Sequence, residues 1–290
     1  MKTSHNQFSA FAHVVREGSF SRAADRLGVS QSAVTQHVAK LEQTVGMKLL
    51  QRGSDGLSLT RAGRELYDLA DRQVTLDGLI KEKLEGYAAL ERGHLAVIAN
   101  APRPALPLIA AFQKTYPNIE VDFALYDWTQ AMALLRGRQV DVAVVTEPDR
   151  MGDCVSRSVT TARYVAYVPD NHRFAQQQCI SLRDLAEETV LIPEEGSYTA
   201  RFVARKLKDH AITFPRRMRT TTFPVMKEAI LHGVGVGIFL ADSGFPDDGL
   251  TGVPILELPE FFETKIVVPK DKWGLRVVAG FAELADQRMA

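Results

Sequence analysis

Along the first sixty residues the apolar positions recur at threes and fours. Phe8, Phe11, Ala12 and Val15 form one such stripe and predict a helix over residues 6–15. Phe20, Ala23, Ala24 and Leu27 form a second, with Ser19 placed to cap its start and Gly28 its end. A third helix is predicted from Ser30, another capping residue, with Val34, Val38 and Leu41 facing inward. The period then shortens. Residues 49–52 and 57–59 read as two very short strands around a Gly/Ser/Asp turn, a small wing on the helices.

From Thr60 the helical spacing returns. Ala62, Leu66, Leu69, Leu76, Ile80 and Tyr87 predict a helix running to about Glu91, a rod of roughly 45 Å at 1.5 Å per residue. So long a stripe calls for a partner helix, the same helix of a second subunit being the economical choice and packing on its own chain the alternative, although Gln73 and Lys83 interrupt the seam. After Gly93 strand-like runs alternate with helical ones: "HLAVIAN", "IEVDFALYD", "VDVAVVTEP", "YVAYVP", "TVLIP", "RRMRTT", "VGVGIFL" and "KIVVP" are the expected strands. Helices fall between them and a last one runs from Gly274 to about Arg288, in the manner of a parallel sheet with crossover helices. The expected organisation is a winged helical domain over 1–59, a dimerising linker helix over 60–92 and a two-lobed α/β domain over 93–290. Lobe I takes about 93–163 and 266–290, lobe II about 164–265. A small molecule would bind in the crevice at the carboxyl ends of the strands.

Composition alters this picture only in places. The chain balances 35 basic against 35 acidic residues, yet residues 1–64 hold nine Lys/Arg and four acids, so the helical start is net positive and suited to a polyanion. No apolar run approaches a membrane span and the N-terminus lacks a secretory apolar region, which places the chain in the cytoplasm. Cys154 and Cys179 lack CxxC spacing and fit a reducing compartment, with a redox pair as the alternative. There is no phosphate loop, HExxH or nucleophile elbow, and "GVGVG" lies in a strand, so an enzyme is disfavoured and no metal or cofactor is expected. A solute receptor would account for the lobes but not for residues 1–64.

The second and third helices, with one tight turn between them, read as a helix-turn-helix whose third helix turns a polar face outward. That face carries Gln31, Ser32, Thr35, Gln36 and Lys40, side chains able to reach base edges or phosphates in a major groove, while Arg22 and Arg52 are placed for phosphate contacts.

"GSFSRAA", "SQSAVTQ", "LE", "LLQR" and "LTRAG", in that order between Phe8 and Gly63, resemble the N-terminal signature of the LysR-type transcriptional regulators. Weaker matches, "LPLIAAFQKTYPNIEVDF", "LLRGRQVDVAVV" and "ILHGVGVGIF", extend the resemblance over nearly the whole chain. It implies a multidomain protein: an all-α winged helix-turn-helix and long linker helix, followed by a two-lobed α/β domain of periplasmic-binding-protein type. It also implies promoter DNA and a small-molecule effector as partners and a homodimer or homotetramer, with RNA polymerase left open as a further partner. Carried onto this chain, the family's cleft positions are Ala101, Pro102 and Arg103, then Tyr126, Asp127, Thr146, residues 194–201 including Ser197, Tyr198, Thr199 and Arg201, and finally Arg219, Thr220 and Thr221. Arg103 departs from the small hydroxyl residue many relatives carry there. Arg103, Arg201 and Arg219, with the hydroxyls of Ser197, Tyr198 and Thr199, form a set suited to an oxyanion, and Asp127, Glu194 or Glu195 to an amino group. A small anionic or zwitterionic metabolite is the expected effector.

Overall fold

A computed structural model describes residues 3–53, 56–84, 93–243 and 249–289. The chain divides into two compact units. One comprises Met1–Ala89 with Leu134–Asp141 and Pro269–Arg276, the other Leu90–Ala133, Val142–Val268 and Val277–Ala290.

In the first unit α1 (His5–Glu17), α2 (Phe20–Leu27) and α3 (Gln31–Val45) close over a core that includes Phe11, Val14, Ala23, Ala24, Val34, Val38 and Leu41. The capping residues act as their chemistry predicts. Ser30 accepts a hydrogen bond from the Ala33 N–H at 3.2 Å, and Ser19 accepts one from the Arg22 N–H at 3.5 Å. Gly28 sits at φ +65°, a left-handed conformation that costs glycine little, and the Val29 N–H then reaches back to the Ala24 carbonyl at 3.1 Å. That contact sets the tight turn into α3.

The wing is β1 (Leu50–Gly53) antiparallel to β2 (Gly56–Leu59), with Leu50 opposite Leu59. A buried carboxylate ties it to α3: Glu42 accepts from the Leu49 N–H at 2.9 Å, the Leu50 N–H at 3.3 Å and the Lys48 ammonium at 2.6 Å. Burial alone would raise its carboxyl, but the Lys48 bond and the two backbone donors prevail and hold it below its usual range.

Thr60 opens α4 (Arg61–Leu84) by accepting from the Gly63 N–H at 3.0 Å. The expected end of this rod near Glu91, and Tyr87, lie outside the described residues. The apolar stripe expected along α4 divides in two. Ala62, Leu66, Tyr67, Ala70 and Val74 pack against the core of the same unit, whereas Leu69, Leu76 and Ile80 are 64%, 56% and 49% exposed.

Beneath α4 lies an ionic cluster with no counterpart in the sequence reading. The fully buried Asp71 carboxylate receives Arg16 Nε at 2.6 Å and Arg138 Nε at 2.8 Å. Lys272, buried to 1% exposure, stands 3.9 Å from Asp71 and 3.0 Å from Asp141. Arg138 also pairs with Asp271 at 2.6 Å and takes a positive φ of 57°. Burial alone would raise the Asp71 carboxyl, but Lys272, Arg16 and Arg138 outweigh it and keep the group ionised.

The second unit runs through β3 (Gly93–Ala99), α5 (Pro102–Thr115), β4 (Ile119–Leu125), α6 (Trp128–Arg136), β5 (Val142–Thr146) and β6 (Cys154–Pro169). It continues with α7 (Leu182–Leu185), β7 (Thr189–Pro193), α8 (Tyr198–Asp209), β8 (Arg216–Thr220), α9 (Phe223–Leu231) and β9 (Val236–Leu240), and ends with β10 (Leu250–Pro254), β11 (Phe261–Pro269) and α10 (Arg276–Met289). The strand order is β4-β3-β5-β11-β6-β9-β7-β8, with β10 paired to β6.

The sheet is mixed and not simply parallel. β3 runs parallel to β4 and β5, and β7 parallel to β8 and β9, but β11 is antiparallel to β5 and β6 is antiparallel to both β9 and β10. The antiparallel pairs belong to the strands by which the chain passes between lobes and back, so they need no crossover helix. α5 begins four residues before the expected "LPLIAAF" run, because Pro102 and Pro104 fall in its first turn, where a missing N–H costs nothing.

Candidate functional site

The sequence points to two sites, one in each unit. In the first, α3 turns Gln31, Ser32, Thr35, Gln36 and Lys40 to solvent while Val34, Val38 and Leu41 are buried. Two of the polar side chains are held locally: the Thr35 hydroxyl donates to the Gln31 carbonyl at 2.9 Å, and Ser32 Oγ lies 2.9 Å from Ser30 Oγ. Arg22 is also exposed and its guanidinium donates to the Glu17 carbonyl, which aims it past the N-terminus of α2. Arg52 belongs to β1, and its side chain lies outside the described residues.

In the second unit the expected cleft positions come from both lobes, which meet at Trp128–Arg201 and Thr129–Glu194. On the first lobe Ala101 occupies the N-cap position of α5 with no capping side chain, the consequence of having no hydroxyl there, and Pro102 follows it buried. The half-buried Tyr126 donates its N–H to the Ala99 carbonyl at 3.0 Å. Asp127 caps α6 through a 2.7 Å bond from the Gln130 N–H to Oδ1. Thr146 is buried, its hydroxyl 2.9 Å from that of Thr264 and its N–H bonded to Asn100 Oδ1 at 3.2 Å. The Trp128 indole N–H donates to the Thr146 carbonyl at 2.9 Å and so locks the start of α6 to the end of β5.

From the second lobe Ser197 caps α8 by accepting from the Ala200 N–H at 3.1 Å. Thr199 is buried with its hydroxyl 2.8 Å from that of Tyr164. Tyr198 stacks with Phe202 and meets Phe262 edge-on, ring centroids 6.4 and 5.5 Å apart. Thr220 is buried beside Pro193, and Thr221 is exposed. Arg219 is exposed and pairs with Glu195. The Arg201 guanidinium lies over the Trp128 ring at 4.7 Å, a cation–π contact from lobe to lobe.

Glu194 joins the lobes directly. Its Oε1 accepts from the Thr129 N–H and the Thr129 hydroxyl, each at 3.3 Å, while Oε2 is buried without a hydrogen-bond partner. Burial, with the nearby Asp127 charge, raises its carboxyl. Asp127 Oδ1 and Ser197 Oγ cap helices, whereas Glu194 Oε2 is a buried acceptor without a hydrogen-bond partner among the described residues.

The three arginines expected to share an anion are placed differently. Arg103 lines a separate recess in the same unit whose lining includes neither Arg201 nor Arg219. Trp128, Thr129 and Thr264 were missed by sequence reasoning, since no local pattern reveals a contact made across two lobes. Among the described residues no His/Cys/Asp/Glu group could hold a metal, no helix is long and apolar enough to cross a membrane, and neither Cys154 nor Cys179 is in a disulfide.

Comparisons with known proteins agree on one class. Residues 5–64 match the model of the bacterial regulatory helix-turn-helix protein, lysR family, and residues 88–290 match that of the LysR substrate binding domain. The RuBisCO operon transcriptional regulator of Allochromatium vinosum is 30% identical over 240 residues, 82% of this chain and 80% of that protein. The HTH-type transcriptional regulator CfxR of Cupriavidus necator is 29% identical over 237 residues, 80% of this chain and 74% of its own. Among solved structures, full-length OxyR from Pseudomonas aeruginosa, in a cysteine-to-aspartate variant, superposes with a TM-score of 0.76 at 17% identity, covering 98% and 95% of the two chains. Full-length CbnR in complex with its target DNA gives 0.59 at 21% identity, covering 98% and 99%. At these identities the two structures share the fold.

Proposed function

The chain belongs to the LysR family of transcriptional regulators, DNA-binding regulators and not enzymes, and from that premise we propose how it reads DNA and what it senses. α3 enters the major groove with Gln31, Ser32, Thr35 and Gln36 at base edges, Lys40 and Arg22 contact phosphates, and Arg52 does so from the wing. Two copies, joined along Leu69, Leu76 and Ile80 of α4, present two such helices to a partly palindromic promoter site, as dimers or as tetramers built from them. A small anionic or zwitterionic metabolite lodges between the lobes near Thr146, Glu194, Thr199 and Thr220 and shifts the balance between DNA-bound arrangements.

The observation that carries the DNA reading is the division of α3, polar side chains outward and Val34, Val38 and Leu41 buried in the unit's own core. Replacing Gln31, Ser32 and Thr35 together by alanine touches nothing in that core. In electrophoretic mobility shifts against the promoter and a scrambled duplex of equal length, the variant should lose at least tenfold in discrimination while its assembly state is unchanged. Retained discrimination would refute the assignment. Affinity for either duplex should fall as a power of salt concentration, and Lys40→Ala should make that slope shallower by about one.

The support for the effector reading is Glu194, which bridges the lobes through one oxygen and holds the other buried and unspent. A ligand that donates to Oε2 stabilises the closed pair of lobes, and Arg201, over Trp128 in the same region, supplies positive charge for an anionic group.

A further inference from the structure

Within the second unit a recess of about 900 Å³ opens between the first turns of α5 and the part of β6 where the chain passes from lobe to lobe. Arg103 and Pro107 form one wall, Thr160, Thr161 and Arg163 another, and Asp242, just beyond β9, closes it. Glu194, Thr199 and Arg201 are not part of it.

Asp242 is the unusual member. Both carboxylate oxygens are buried and neither has a hydrogen-bond partner within normal geometry among the described residues. Burial drives the carboxyl upward, opposed by Thr160 and by the Arg103 charge nearby. A carboxylate withdrawn from water and so sparsely supplied with donors is unfavourable, and a cationic donor relieves it. Arg163 stands exposed on the neighbouring strand β6, a guanidinium able to take a carboxylate in two parallel bonds. The same recess is lined by Pro104, Pro107 and the 64% exposed Phe261 ring, apolar surface against which an alkyl chain can lie.

From this juxtaposition we infer that the recess is a second small-molecule site, taking an amino carboxylate with its ammonium on Asp242 and its carboxylate on Arg163. The site stands apart from the interlobe assignment made above, and neither depends on the other.

Isothermal titration calorimetry on the full-length protein tests it, with the linear series from glycine to 6-aminohexanoate as probes and pentanoate and pentylamine as one-ended controls. At least one amino carboxylate should bind saturably with a submillimolar Kd, and each control at least tenfold more weakly. Asp242→Asn and Arg163→Gln should each weaken the binding tenfold or more, whereas Glu194→Gln should leave it unchanged. Asp242→Asn removes a buried charge and keeps the side chain's volume. Should it nonetheless fail to fold, the exposed Arg163→Gln decides by itself. No binding across the series would overturn the proposal, as would binding untouched by Arg163→Gln or lost with Glu194→Gln. The last result would assign the ligand to the interlobe cleft instead. None of these readouts involves DNA, so they leave the promoter-reading assignment to its own test.

Discussion

His13 on α1 shows how one residue ties the DNA-binding unit to pH. Burial, reinforced by Arg16 and Arg26 and opposed by Asp71, lowers its pKa from 6.5 to about 4, and its Nδ1 is buried without a partner. The folded state therefore holds the imidazole neutral where the unfolded chain would already protonate it. A group with a depressed folded pKa of this kind leaves stability untouched above about pH 6.5 and subtracts from it as pH falls toward 4. Between pH 7 and pH 5 the loss should be about 2 kcal/mol, and His13→Gln should abolish most of it. Urea denaturation of both proteins at the two pH values checks this. Equal losses in wild type and variant would show that His13 is not the responsible group, since Glu42 and Asp71, held low by their partners, titrate below this window. Neither His13 nor Asp71 was legible in the sequence. Asp71 reads there as one more charged residue on a long amphipathic helix, and only the arrival of Arg16, Arg138 and Lys272 from distant parts of the chain makes its burial tolerable.

At the scale of elements the sequence was most informative where the signals are local. Ser19, Gly28 and Ser30 set the ends of α2 and the start of α3 through their own backbone geometry, so the turn between them was readable before any tertiary contact was known. Gly63 shows the opposite. In the sequence it looks like a weak spot in α4, yet a Cβ there would stand 2.0 Å from the Leu49 carbonyl, so the helix can meet the wing only because the side chain is absent. Gly63→Ala, a helix-favouring change in isolation, should destabilise the first unit by about 1–3 kcal/mol, measured as a lower midpoint of chemical denaturation. A neutral or stabilising outcome would mean that α4 and β1 separate more easily than their packing implies. β6 and β10 were the elements least visible. Only "YVAYVP" was read as strand, whereas β6 begins at Cys154, and the "CVSRSVTTAR" half mixes Val and Thr with Ser and Arg and lacks a continuous apolar run, so its sheet neighbours define it. β10, with a glycine and a proline in five residues, is a strand because β6 pairs with it from Leu250 to Pro254.

For the whole molecule the decisive quantity is apolar surface that one chain leaves uncovered. Leu69, Leu76 and Ile80 lie at helical spacing on α4 and stay largely exposed while the neighbouring face is buried. Burying one leucine contributes about 1.5–3 kcal/mol, and a twofold seam counts it twice. Leu76→Lys should therefore weaken self-association at least 100-fold in sedimentation equilibrium and cost promoter affinity with it, and an unchanged dimer would place the interface elsewhere. The amino-acid sequence by itself determined the family, the order of the helices and of most strands, the outward polar face of α3 and the positive bias of residues 1–64, because each rests on periodicity, capping or charge within a few turns of chain. Only the tertiary structure decided which α4 residues face their own core, that Glu194 spans the lobes to Thr129, that Arg103 sits with Asp242 apart from Arg201 and Arg219, and that Asp71 lies at the centre of an ion cluster. Those outcomes depend on which distant groups share a desolvated space, where the cost of an unpaired charge is set by neighbours that no local pattern names.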